Sequence, residues 1–126
     1  HLQESLSKLR DLGFNLGLSN FHGDLDRLFE AAEAGFNEVK IGHLFTQTNL
    51  EDHKLTLLLS AMVDVAKGLN LSVTATEVNN STFAEIVHQC QCDFMQGQLF
   101  APAMNLELLQ SFLLTQQGRI HYIDKV

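Results

Sequence analysis

An α/β fold of about four parallel strand/helix units is predicted by three observations. Short apolar runs alternate with amphipathic helical stretches, the pattern of parallel strands covered by helices. Glycines fall at the junctions, at Gly13, Gly35 and Gly68. The chain has 126 residues, enough for one modest core. A complete (β/α)8 barrel takes about 250 residues, so four units amount to half of one.

In the first unit, Leu2, Leu6 and Leu9 fall on one helical face, and Gly13 ends the helix before the apolar run Phe14 to Leu18. Asp24 caps a second helix with apolar positions Leu25, Leu28, Phe29 and Ala32; Gly35 ends it ahead of a strand over Glu38 to Ile41. A third helix, from Asp52 to Lys67, turns Leu55, Leu58, Leu59, Met62, Val63 and Ala66 inward, with Gly68 stopping it before the strand Leu71 to Ala75. The next helix, Ser81 to Gln89, buries Phe83, Ile86 and Val87 and leads to a fourth strand near Asp93 to Gln96. After Pro102 a last helix from Asn105 buries Leu106, Leu109, Phe112 and Leu113. The tail, Arg119 to Val126, reads equally as a further short strand or a disordered end.

Composition narrows the function. With 8 basic against 15 acidic residues the net charge is −7, which argues against a surface that tracks nucleic-acid phosphates. No apolar run approaches the ~20 residues of a membrane span. The start, His1-Leu2-Gln3-Glu4, lacks the pattern of a signal peptide and reads as a tag end or the cut edge of a longer chain. Cys90 and Cys92, one residue apart, are badly placed for a mutual disulfide, and with no other cysteine the chain fits a reducing, cytoplasmic compartment. Cys92 reads as core packing. Of the six histidines, His1, His22, His43, His53, His88 and His121, none makes a pair at helical metal-ligand spacing on one face. They read as polar surface.

The four strand ends carry the functional signal, because the loops after the strands build the active face of a barrel. They read Leu16-Gly17-Leu18-Ser19-Asn20-Phe21, Val39-Lys40-Ile41-Gly42, Val73-Thr74-Ala75-Thr76-Glu77-Val78-Asn79 and Gln96-Gly97-Gln98-Leu99-Phe100. In order and spacing these resemble the successive signatures of the EAL domain family, the bacterial cyclic di-GMP phosphodiesterases: LALDDFG, LKID, VVAEGVE and QGYLF. Leu9 to Phe14, Ala66 to Leu71 and Cys92-Asp93 resemble the stretches between them. The resemblance covers roughly residues 9 to 112, and implies the C-terminal half of a TIM-like (β/α)8 barrel, with residues 1–126 forming a partial EAL-like domain. The family's first half, with its EAL tripeptide and further metal-binding Glu and Asn residues, has no counterpart here.

The resemblance also implies a degenerate site. Family hydrolysis resembles two-metal phosphodiester chemistry with Mg²⁺ or Mn²⁺, hard cations that need anionic oxygen ligands. The paired aspartates of the first signature fall on Ser19 and Asn20, the aspartate of the second on Gly42, and the two glutamates of the third on Thr76 and Asn79. Every one is neutral. Sliding the third signature to put Glu77 on the glutamate would reverse the faces of that strand, so Glu77 stands in the place of the family's glycine. Lys40, Gln96 and Gly97 match retained family positions and, with Asn20, are the vestigial ligand-binding candidates. Each has a plainer structural reading: a buried-stem lysine held by a nearby acid, a strand-end amide, a close backbone approach.

His22 replaces the glycine of the first signature, and Gly23-Asp24-Leu25-Asp26-Arg27 replaces the family's TGYSS loop. That acidic stretch is accounted for as a helix start. The reading is therefore a regulatory or protein-interaction module in cyclic di-GMP signalling, with no bound cofactor or metal and no hydrolysis. The alternatives are a non-hydrolysing cyclic di-GMP receptor, or an active phosphodiesterase once joined to an N-terminal half. Four strands with two open edges and an apolar concave face would pair with that half or with a second copy.

Overall fold

A computed structural model describes residues 2–19, 21, 23–42, 50–101 and 103–115. Four parallel strands, β1 (Gly17–Leu18), β2 (Glu38–Ile41), β3 (Ser72–Ala75) and β4 (Phe94–Met95), lie in the order β1-β2-β3-β4. Helices α1 (Leu2–Asp11), α2 (Leu25–Glu33), α3 (Asp52–Gly68), α4 (Ser81–Gln89) and α5 (Leu106–Thr115) alternate with them. Register is continuous: Leu18 lies opposite Val39, Val39 opposite Val73, and Ala75 opposite Met95.

The helices end in a repeated way. After α1, Gly13 (φ +92) donates its N–H to the Arg10 carbonyl while Phe14 donates to Leu9. The same pair of bonds recurs at Gly35 and Phe36, at Asn70 and Leu71, and at Gln91 and Cys92. This is the Schellman closure, with a left-handed residue just past the cap. It moves two expected boundaries. Phe14, whose amide is taken by the helix end and whose side chain is 59% exposed, is not part of β1. Leu71 is likewise held by Ala66, so β3 starts at Ser72. Gly68 does not stop α3: it is the last helical residue, and the left-handed position falls on Asn70 (φ +62).

Asp24 caps α2 as expected, its Oδ1 accepting from the Asp26 N–H at 3.0 Å. Asn80 caps α4 through the Phe83 N–H at 2.8 Å. The core lies between the sheet and α2, α3 and α4. Val39, Ile41, Val73 and Ala75 supply the sheet side, facing Leu28, Leu59, Val63, Phe83 and Val87 among others. Leu25, Phe29 and Leu58, expected inside, are exposed. So are Leu106, Leu109 and Leu113 of α5, with Phe112 only half-buried. That helix follows the edge strand β4, with no further strand among the described residues for it to cover.

The other sheet face is mixed rather than apolar throughout, with Phe94, 60% exposed, opposite Thr74. Glu38 and Lys40 alternate with the buried Val39 and Ile41, and their register partners are Ser72 and Thr74. Thr74, 5% exposed, donates its hydroxyl to Glu38 Oε2 at 2.8 Å.

Cys90 is the buried cysteine, its thiol bracketed by Ser60 Oγ at 3.3 Å and the Thr56 carbonyl at 3.5 Å. Cys92 is half-buried against the core edge. Its pKa is raised from 9.0 to about 12, first by burial, then by Cys90 and Asp93, with Lys67 opposing. Between those two pH values the folded chain keeps a proton that the unfolded chain has lost, so stability from this group is full below pH 9 and falls as pH rises toward 12. Urea midpoints should drop between pH 8 and about pH 10.5, and Cys92→Ser should flatten that slope; equal slopes would refute the assignment.

Candidate functional site

The positions just past the strands continue the sheet face that carries Lys40 and Thr74. Lys40 lies opposite Thr74 and Ile41 opposite Ala75, which puts Gly42 and Thr76 level with each other just beyond β2 and β3. Gln96 continues the row, since its N–H donates to the Ala75 carbonyl at 2.8 Å. Ser19, one residue beyond β1, is exposed at the other end. The structure thus brings Ser19, Lys40, Gly42, Thr76 and Gln96 to one side of the sheet. Asn20, His22 and His43 lie outside the described residues.

Lys40 is half-buried and has no hydrogen-bond or ion-pair partner among the described residues. Glu38, the acid two residues earlier on the same face, takes the Thr74 hydroxyl instead. Gly17 leaves room for that carboxylate: a Cβ there would sit 3.2 Å from Glu38 Oε1.

At the end of β2 two backbones meet. Gly42 is buried, and a Cβ on it would come within 2.5 Å of Thr76 Oγ1 and 2.7 Å of the Thr76 carbonyl carbon, with the carbonyl oxygen closer still. The Thr76 N–H donates to the Ile41 carbonyl at 2.7 Å. Gly97 makes a matching approach on the far side of β3's exit, where a Cβ would collide with the Val78 backbone. Val78 donates its N–H to the Gln96 carbonyl at 3.0 Å and accepts from the Leu99 N–H at 3.2 Å. Asn79 Oδ1 accepts from the Gln98 N–H at 3.0 Å, which ties the loop after β3 to the loop after β4. Glu77 adopts φ +59, the left-handed region that glycine favours, in the register where the signature has its glycine.

Ser19 and Thr76 offer neutral oxygens, Gly42 has no side chain, and the Thr76 peptide fills the adjoining volume. Among the described residues no three His, Cys, Asp or Glu side chains are grouped to hold a metal ion. A cleft of about 560 Å³ does open nearby, lined by Asp52, Leu55, Glu77, Asn79, Asn80 and Phe83 among others. A second, of about 450 Å³, lies between α1 and α2. Neither has Lys40, Gln96 or Gly97 in its wall.

The sequence reading missed two contacts of this face, the Glu38–Thr74 pair and the Asn79–Gln98 bond. The first had a signal, since Glu38 stands two residues before Lys40 and therefore shares its strand face.

Among the described residues no helix is long and apolar enough to cross a membrane. The chain is 26% identical over 105 residues to the oxygen sensor protein DosP of Escherichia coli, covering 83% of this chain and 13% of that protein. It is 26% identical over 101 residues to the cyclic di-GMP phosphodiesterase RocR of Pseudomonas aeruginosa, covering 80% of this chain and 26% of that one. The solved structure of the PaMucR phosphodiesterase in complex with c-di-GMP superimposes with a TM-score of 0.72 at 25% identity, over 82% of this chain and 46% of that chain. The chain therefore spans less than half the length of each of these relatives. The EAL domain family model matches residues 1–103, and the chain belongs to the EAL domain family.

Proposed function

We propose that this is a non-catalytic EAL domain, a cytoplasmic regulatory or protein-interaction module in cyclic di-GMP signalling. The observation that carries the reading is the row of neutral groups, Ser19, Gly42 and Thr76, at three successive strand ends. Two-metal hydrolysis depends on anionic ligands at such positions. In this reading no Mg²⁺ or Mn²⁺ is held there. Partners meet β1 and β4 along the edges left unpaired among the described residues, either the remainder of an EAL barrel or a second copy.

One observation favours a second reading, a receptor that binds cyclic di-GMP without cleaving it. Lys40 presents a cation with no partner among the described residues, beside Thr74 and below Gln96. Calorimetric titration of the full-length protein with cyclic di-GMP separates the two. No heat of binding at micromolar concentrations is expected for a pure interaction module. Affinity tighter than about 1 μM, or about −8 kcal/mol, would establish the receptor, and its loss in Lys40→Ala would locate the phosphate contact.

A further inference from the structure

The geometry points to Gly42 as a structural lock: the Thr76 peptide and hydroxyl occupy the volume that a Cβ on Gly42 would take, so restoring carboxylates there does not rebuild a metal centre. The inference rests on the non-catalytic reading above and adds a steric cause to a chemical one.

Real Cβ atoms essentially never approach other heavy atoms closer than 3.0 Å, and a Cβ at Gly42 would do so against the Thr76 carbonyl oxygen, carbonyl carbon and Oγ1 at once. Two of these are backbone atoms, so a change of Thr76 rotamer relieves only the third. The Thr76 peptide is also pinned. Its N–H is bonded to Ile41, and Ala75 is paired with Ile41 on one side and Met95 on the other. The chain beyond it is held to the β4 side by Val78 to Gln96, Leu99 to Val78 and Gln98 to Asn79. Retreat of Thr76 from a new side chain would strain or break several of these bonds together. Gly97 repeats the device on the other flank, its missing Cβ admitting the Val78 backbone. The segment 76–79 is thereby clamped between two glycines.

The test uses full-length protein carrying Gly42→Ala, Gly42→Asp or the triple Ser19→Asp/Gly42→Asp/Thr76→Glu. Gly68→Ala is the control, because a Cβ at Gly68 meets nothing within 4 Å and alanine suits a helix better than glycine. Thermal unfolding should show Gly42→Ala lowered by about 5 °C or more, as an overpacked site would be, with Gly68→Ala unchanged or raised. Mn²⁺ calorimetry should show no gain in affinity for the Asp variant or the triple. If Gly42→Asp fails to fold, the Gly42→Ala melt still gives the steric readout. A Gly42→Ala melt within about 1 °C of Gly68→Ala, or a triple variant that binds Mn²⁺ about tenfold more tightly than the parent, would overturn the lock. Hydrolysis by the unmodified protein would remove the non-catalytic reading yet leave the Gly42→Ala result standing, so the two failures are distinguishable.

Discussion

Purified protein carrying this domain is expected to leave cyclic di-GMP intact in Mg²⁺ or Mn²⁺ buffer, producing no linear pGpG above background. Metal ions supply such hydrolysis with a polarised phosphoryl group and an activated water, a contribution of several kcal/mol. Each 1.36 kcal/mol is tenfold in rate, so a site without them should run at least about 10³-fold below an active relative such as RocR assayed alongside. The same sheet face retains Lys40, which can attract phosphate but, as a donor with no acceptor, cannot take over water activation. Divalent-dependent pGpG at a rate within about tenfold of RocR would show that carboxylates from elsewhere in the protein complete the centre, and would overturn the reading of Ser19, Gly42 and Thr76.

The largest effect on stability is expected from Leu59→Ala. Leu59 is fully buried in the middle of α3, within the cluster that contains Val63, Val73 and Val87. Truncating it removes apolar contact and leaves a cavity that the sheet cannot fill, at a cost of about 2–5 kcal/mol. That is a large part of the 5–15 kcal/mol typical of a domain. Leu57→Ala is the internal comparison: two residues away on the same helix but 66% exposed, it should change stability by no more than about 0.5 kcal/mol. Urea unfolding measures both. Equal midpoints for the two variants would mean that the inward face of α3 has been misassigned.

The sequence announces α3 through its apolar periodicity and Asp24 through its position ahead of such a run, and both hold. Strand length was less visible, because the amides of Phe14 and Leu71 are claimed by the helix ends before them, a local bonding competition that hydrophobic spacing does not register. For α5 the periodicity of Leu106, Leu109 and Leu113 matches that of a covered helix, yet burial requires something to be buried against. The membership of Ser19, Lys40, Gly42, Thr76 and Gln96 in one row could be read from the order of the signatures. What they touch could not. The closure of Thr76 over Gly42 and the bond from Gln98 to Asn79 join residues far apart in the chain, and their spacing in sequence carries no trace of either. Glu77 lies between these cases: its alignment with a glycine anticipates a backbone that turns left-handed there.

The charged and hydroxyl groups of the mixed inner face change what kind of neighbour the sheet can accept. A grease-lined concavity would adhere to almost any apolar surface that reached it. The Glu38 carboxylate and the Lys40 ammonium instead demand complementary donors and acceptors from whatever closes over them, and a mismatched surface would strand a charge away from water at a cost of several kcal/mol. Any assembly on this face would therefore be selective: a correct counterpart would be distinguished less by the area it covers than by the errors it avoids.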